Sequence, residues 1–351
     1  MRLPHLTLRR AVPPDAFGLD ISDDSVKALQ LHSHKGTYTL DFAAIGELPS
    51  GLIKDGEIIN AAGLATSIKE LLHPYQDTMV GAAVLSLPEI KTTTQTILVP
   101  KHEGAVFSSS LIAALPEFIP NNLEEVYFDA MILSEDDNQW KALVGVSPRA
   151  VVDSYVAVME AVGITPAALD VEPAATVNAV ISPALSTGCH AIVNLGRRRS
   201  HLIVVDDGKL LFTLNLPIAG ELVSQELMNQ LSITFAQAEK TKRLCGLDPK
   251  KCEGALRRVL EAMVQNLIVR ITEGGKYYRD HFADSKAFSS VVLTGGGAEL
   301  VGLTDVLAAA LAIPVTLSDV WANTPLSVRP SLEGEQRFST VIGLARRGER
   351  L

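Results

Sequence analysis

A short pattern occurs twice in this chain, 174 positions apart (194 − 20). Ala16-Phe17-Gly18-Leu19-Asp20-Ile21-Ser22 precedes the apolar run Val26 to Leu31 and a turn at Lys35-Gly36. His190-Ala191-Ile192-Val193-Asn194-Leu195-Gly196 precedes Leu202 to Val205 and a turn at Asp207-Gly208. Each copy reads as an apolar strand that ends in Asp or Asn, turns on small residues and returns as a second strand. Such a hairpin brings backbone N–H groups and a carboxylate up to a phosphate with no large side chain in the way. Two copies can clamp one polyphosphate from both sides, which constrains the chain to two lobes around a cleft. A third element, Val291-Val292-Leu293-Thr294-Gly295-Gly296-Gly297-Ala298, reads as a buried strand running into a glycine turn and then a helix.

Size and composition agree with that plan. A chain of 351 residues is too large for one simple core, and two to four subdomains are expected. It is 47% hydrophobic but only 5% aromatic, which suits parallel strands buried between helices. Lys and Arg total 31 against 40 Asp and Glu, a net charge of −9, the opposite of the balance a nucleic-acid binder carries. Cys189, Cys245 and Cys252 are odd in number and lack CxxC spacing, so reduced thiols are expected rather than a disulfide framework or zinc site. No run reaches the roughly 18 apolar residues of a membrane span, and Met1 to Arg10 is basic without a signal-peptide core. The expectation is a cytoplasmic protein with no direct membrane insertion and no nucleic-acid partner.

Along the chain, residues 1–14 read as a poorly ordered leader. The first hairpin unit runs from 15 to 83 and includes a helix from Asn60 to Leu72, with Asn60 as its N-cap and Pro74 as its stop. From 84 to 164 the order is strand, strand, helix, strand, strand, helix, a compact unit inserted before the first lobe resumes at 165–187. The second hairpin unit covers 188–222, a mostly helical segment 223–287, and the triple-glycine strand and helix 288–325. Residues 326–351 return as a last helix packing on the first lobe.

Five blocks together resemble the ATPase superfamily of actin, heat-shock chaperones and sugar kinases. They are the hairpin with Asp20, Leu169-Asp170-Val171-Glu172-Pro173, the hairpin with Asn194-Leu195-Gly196, Ala238-Glu239-Lys240-Thr241-Lys242, and the glycine triplet. Within it the chain is similar to the type IV pilus assembly protein PilM family, relatives of the division protein FtsA. The similar stretches are Gly18 to Ser22 with Val26-Lys27, Phe118-Ile119-Pro120 with Leu123 to Val126, Val151 to Ser154, and Asp170-Val171-Glu172. The resemblance implies an α/β fold, the actin-like, ribonuclease H-like two-lobed ATPase, with an inserted 1C subdomain. The segments above then become 1A (15–83, 165–187, 326–351), 1C (84–164), 2A (188–222, 288–325) and 2B (223–287). It also implies ATP or ADP with Mg²⁺ between the lobes. The partner it implies is the cytoplasmic tail of a PilN-like inner-membrane protein near the 1A–1C junction, with other pilus assembly proteins around it. FtsA-like proteins continue into an amphipathic membrane helix, whereas this sequence ends at Arg346 to Leu351 without one, which favours PilM.

Carried over residue by residue, the resemblance makes Asp20 the phosphate-loop aspartate that holds Mg²⁺, a suitable hard ligand. Ser22 would donate to the β- and γ-phosphates, and Lys27 matches a site position, although a solvated strand lysine has the same appearance. The second loop departs from the family, with Asn194 where Asp is usual and Arg197-Arg198-Arg199 after Gly196, followed by Ser200. Losing a carboxylate about 5 Å from a metal costs on the order of 3 kcal/mol at an effective dielectric near 20. An arginine on the phosphates restores a comparable amount; a solvated turn tip is the alternative reading of the triplet. Gly220 matches a conformationally special glycine near the phosphates. Glu239 and Lys242, at i and i+3, would contact ribose and base, or form an ordinary ion pair. Gly295, Gly296 and Gly297 form the adenosine-side loop, where glycine backbone approaches the nucleotide at a helix N-terminus. Asp170 and Glu172 are the candidates to orient an attacking water. With the second loop altered, the expected activity is at most a slow ATPase, nucleotide binding outlasting efficient hydrolysis. The other readings are an FtsA-like filament-forming division protein or an active small-molecule kinase of the same fold.

Overall fold

The computed structural model describes residues 15–102, 104–119, 122–282 and 285–349. The expected leader at 1–14 lies outside them.

The first hairpin grows into a five-stranded sheet. Strand β1 (Phe17–Ile21) is buried at every residue and pairs antiparallel with β2 (Ser25–His34), placing Asp20 opposite Lys27. Strand β3 (Thr37–Glu47) completes the meander. A two-residue ribbon, β4 (Ile53–Lys54) with β5 (Glu57–Ile58), leads to helix α1 (Ala61–Leu72). The helix starts where expected, because Asn60 Oδ1 accepts the Gly63 N–H at 2.9 Å and satisfies an otherwise orphaned donor. Leu64, Ile68 and Leu72 recur at helical spacing and are buried; burying each contributes about 1.5–3 kcal/mol.

Strand β6 (Ala82–Leu87) corrects the expected boundary of the insertion at Val84. All six residues are buried and the strand lies parallel to β1, so the chain leaves the first sheet only after Leu87. A run apolar on both faces belongs in a central strand rather than in a small half-exposed unit. The excursion itself comprises β7 (Thr93–Pro100), α2 (Phe107–Ala114), β8 (Val126–Glu135) and β9 (Gln139–Pro148). Ile97, Val99, Leu111, Leu115, Val126 and Val144 form its own core. The next helix, α3 (Arg149–Val162), also differs from its expected place. Its buried Val151, Tyr155, Val158 and Met159 enter the first-lobe core with Leu64 and Ile68. Strand β10 (Thr165–Val171) then joins β6 in parallel, giving the order β10-β6-β1-β2-β3.

After α4 (Glu172–Val180) the plan repeats. Strands β11 (Cys189–Leu195), β12 (Ser200–Asp206) and β13 (Lys209–Leu216) form the second meander. Helices α5 (Gly220–Leu231), α6 (Phe235–Cys245) and α7 (Ala255–His281) follow. Strand β14 (Ser290–Thr294), helix α8 (Leu303–Leu311) and strand β15 (Val315–Leu317) give the order β15-β14-β11-β12-β13. Both sheets are therefore a three-stranded meander extended by two parallel strands. Phe212 of β13 pairs with Gln95 of β7, and Thr96 Oγ1 donates to Leu211 O at 2.6 Å, which joins the inserted strands to the second-lobe sheet as eight.

Cys245 and Cys252 form a disulfide, contrary to the expectation of reduced thiols; Cys189 is free and buried. Cys245 ends α6, and the connection to α7 brings its Cα within 5.7 Å of that of Cys252, a geometry that spacing along the sequence does not reveal.

The last helix, α9 (Ser339–Gly348), packs on the first lobe as expected, and does so backbone to backbone. A Cβ on Gly343 would stand 1.8 Å from Ala175 O, and one on Gly18 of β1 would stand 2.4 Å from Val341 O. Thr176 and Thr340 share a buried hydroxyl–hydroxyl bond of 3.0 Å, and Asn178 Nδ2 donates to Gly343 O at 3.0 Å.

Candidate functional site

The two hairpin turns meet across a cavity of about 950 Å³, and the glycine turn after β14 closes its third side. Both hairpins turn in the same way. Ser22 N–H donates to Ser25 O at 2.9 Å, and Gly196 N–H donates to Arg199 O at 3.0 Å. Asp20, Ser22, Lys27, Glu172, Asn194, Gly196, Arg197, Gly220, Glu239, Lys242, Gly295, Gly296 and Gly297 all line this one space. Residues from six separate stretches of sequence are thus brought together.

Asp20 is buried at the end of β1. Its Oδ2 accepts from Lys27 Nζ at 2.7 Å, and its Oδ1 from Ser86 Oγ at 2.8 Å. Lys27 is accordingly no solvated lysine: its side chain is 12% exposed. Ser22 has its N–H and hydroxyl engaged within the turn, where Oγ reaches Asp24 Oδ1 at 3.1 Å and Ser25. Asn194 Nδ2 faces Glu172 Oε1 at 3.5 Å. Behind it, Gly295 has φ +81°, and a Cβ there would come 2.4 Å from Asn194 Oδ1, so only glycine lets the third loop approach the second.

Glu172 opens α4 and faces the cavity. Burial, the Asp20 charge and the Glu89 charge push its carboxyl up to about 7, against the opposing pull of His201 and Lys27. His201, buried on β12, lies with Nδ1 2.8 Å from Glu89 Oε2 and 3.1 Å from Asn215 Oδ1. Burial works against the charged ring, but the Glu89 and Glu172 carboxylates hold it above its ordinary value.

Each arginine of the triplet forms an ion pair, so the turn tip is not simply solvated. Arg197 Nε pairs with Asp24 at 3.1 Å and Arg199 Nη2 with both Asp23 and Asp55 at 2.9 Å, all on the first lobe. Arg198 pairs with Glu221 at 3.2 Å inside its own lobe. Asp23 is buried and also accepts the Asp55 and Gly56 N–H groups at 3.0 Å, so the contact is anchored at its acidic end. Arg197 and Arg199 therefore tie the two turns together at the rim.

On the second-lobe side Lys242 Nζ bonds Glu239 at 2.7 Å and Gly220 O at 2.8 Å, while Ser224 Oγ donates to Glu239. Burial opposes ionisation of Glu239, yet these donors hold its carboxyl below the usual range. Beyond this pair the cavity turns apolar, lined by Phe235, Leu260, Met263, Val264, Leu300 and Leu303.

Three expectations need correction. Asp170 does not line the cavity; its Oδ2 meets Arg347 Nη1 at 2.6 Å on the side covered by α9. Ser200 is buried in the sheet and outside the cavity lining, with an Oγ that finds no partner among the described residues. Gly220 has no left-handed backbone, and a Cβ there would meet only ordinary contacts from 3.6 Å, so its conformation is not special. Sequence reasoning missed Ser86, Glu89 and His201. His201 had a signal: it stands 174 positions after Lys27 (201 − 27), as Asn194 does after Asp20, and each pair is cross-strand. Ser86 and Glu89 had none, because only parallel pairing of β6 with β1 brings their segment to the site.

Two lobes built on one sheet plan, closing three loops on a common cavity, define the actin-like ATPase fold. The chain belongs to the family described as type IV pilus assembly protein PilM, which it matches over residues 18–349. Among solved structures it is similar to a PilM-PilN type IV pilus biogenesis complex, at 22% identity and TM-score 0.79, covering 95% of this chain and 98% of that one. It is also similar to the ethanolamine utilization protein EutJ from Carboxydothermus hydrogenoformans, at 18% identity and TM-score 0.55, covering 95% and 89%. MreB 5 of Spiroplasma citri bound to AMPPNP aligns at 12% identity and TM-score 0.53, covering 93% of each chain.

Proposed function

We infer that this protein is a nucleotide-binding scaffold of type IV pilus assembly, which takes ATP between its lobes and holds the cytoplasmic tail of a PilN-like membrane protein. The observation that carries the nucleotide reading is the shared cavity of about 950 Å³, large enough for a nucleoside triphosphate. Its glycine turn and two hairpins suit the phosphates, and its apolar end suits a base. Asp20, Lys27, Asn194 and Arg197 would face the phosphates; Glu239, Lys242 and Gly295 to Gly297 the nucleoside.

The donor set also fits Mg²⁺ arriving with the nucleotide. Both Asp20 oxygens already have protein donors, so Asp20 would hold the ion through water, helped by the Asn194 amide oxygen. The ion would neutralise phosphate charge there. Glu172, raised to about 7, is the remaining candidate to orient a water, and turnover is slow on this reading.

The partner reading draws on the family and on the similar complex, whose title pairs PilM with PilN. Among the described residues no helix is long and apolar enough to cross a membrane, so peripheral placement through a partner is the consistent arrangement. In subdomain terms the tail would dock where 1A meets 1C. Leu98, Met131 and Ile132 stand 50%, 55% and 44% exposed on the strands of the inserted unit. Nucleotide would act by binding one arrangement of the cleft better than another.

The test is ATP affinity with magnesium, measured by calorimetry, together with steady-state phosphate release. Asp20→Ala should weaken Mg·ATP binding at least 10-fold, about 1.4 kcal/mol. Fast phosphate release by the unaltered protein, abolished in Asp20→Ala, would replace the scaffold reading with a true ATPase.

A further inference from the structure

Beneath the hairpin turns, three side chains from distant parts of the sequence converge: Glu89, Glu172 and His201. Glu89 lies in the turn that follows β6, Glu172 opens α4, and His201 sits on β12 of the second lobe. One potential ligand atom from each lies within 4.8 Å of the others. The Glu89 side chain is 7% exposed and that of His201 4%. Glu89 Oε2 pairs with His201 Nδ1 at 2.8 Å and accepts no well-aligned hydrogen bond among the described residues.

Carboxylates crowd the cluster: Glu89 and Asp20 both act on Glu172, with His201 and Lys27 set against them. Buried carboxylates in such a setting are stabilised by pairing or by a metal. The Asn194 amide faces Glu172, and Asn215 Oδ1 stands 3.1 Å from the same His201 Nδ1 that meets Glu89.

The geometry points to a divalent transition-metal site formed by Glu89, Glu172 and His201, distinct from the nucleotide's magnesium and able to fill without nucleotide. One imidazole with two carboxylates suits Mn²⁺ or Zn²⁺ and is a poor set for Mg²⁺, which prefers oxygen ligands. An ion there would join the exit of β6, the start of α4 and the second-lobe sheet, bracing the cleft floor. Glu172 is also the residue assigned above to orient a water, so the site is tested on the nucleotide-free chain, where that role is absent.

The experiment titrates the nucleotide-free, metal-stripped full chain with MnCl₂, reading free Mn²⁺ by electron paramagnetic resonance, with MgCl₂ as competitor. One Mn²⁺ per chain is expected, displaced poorly by Mg²⁺. His201→Gln and Glu89→Gln should each weaken binding at least 10-fold. His73→Gln, which removes an exposed histidine outside the cavity lining, should change it less than about 3-fold. Glu89→Gln keeps the shape of the side chain and decides the matter if His201→Gln fails to fold. The proposal is overturned if no Mn²⁺ binds without nucleotide, leaving the cluster an internal ion pair. Unchanged binding in both ligand variants, the mark of adventitious surface sites, overturns it too. So does a loss in His73→Gln as large as in the other two.

Discussion

The two hairpin turns share their backbone and differ in almost everything they carry. Ser22–Ser25 and Gly196–Arg199 are bridged by the same N–H to carbonyl bond at equivalent positions. The first turn holds Asp20, Asp23 and Asp24; the second holds Asn194 and three arginines. Lys27 stands cross-strand from Asp20, and His201 cross-strand from Asn194. Backbone geometry is thus kept by the sheet, while charge has been redistributed so that one turn complements the other. Arg197 and Arg199 now reach Asp24 and Asp23 across the cleft, a contact two acidic turns would repel rather than make.

The supports behind the hairpins differ as well, and this comparison carries the largest expected effect. The Gly18 Cβ position on β1 meets backbone atoms of α9, whereas that of Gly274 on α7 meets the Leu202 side chain at 2.3 Å. Gly18→Ala should therefore cost about 3 kcal/mol or more, because backbone cannot step aside. Gly274→Ala should cost about 1 kcal/mol, because a leucine can change rotamer. Urea melts of the two variants measure the difference. Equal losses would mean that both hairpins are buttressed alike.

The cross-cleft ion pair is next in size. A double-mutant cycle on Arg199→Ala and Asp23→Ala should give a coupling of about 1–2 kcal/mol, since Asp23 is buried and shared with two backbone donors. A coupling near zero would show that the turns are held by packing alone. The smallest effect belongs to Arg198→Ala. Its partner Glu221 lies in the same lobe and the pair is substantially exposed, so thermal stability should change by less than about 0.5 kcal/mol. A larger loss would mean that the triplet acts as one unit rather than as two bridging arginines and a bystander.

Much of the site was legible because it follows from local pattern. The duplicated strand–turn–strand spacing located Asp20 and Asn194, and the glycine triplet located the third loop. Asn60 marked the start of α1, and a last helix returning to the first lobe was expected within 326–351. Strand β6 was misplaced for a physical reason: a buried apolar run has the same sequence signature in either neighbouring sheet. Which sheet it joins depends on a partner about 65 residues away (83 − 17 = 66 at the Phe17–Ala83 pair). Asp170 and Glu172 stand two residues apart in sequence, yet one meets Arg347 of α9 and the other faces the cavity.

By itself the amino-acid sequence determined the two-lobed plan, the turns and the chemistry each turn carries, since those depend on neighbours within a few residues. Tertiary structure alone decided that Arg197 and Arg199 direct their charge to the opposite turn and that Cys245 meets Cys252. It alone also gathered Glu89, Glu172 and His201 at the cleft floor. Those outcomes rest on distances between segments far apart in the chain, and only the folding of both sheets around one cavity sets such distances.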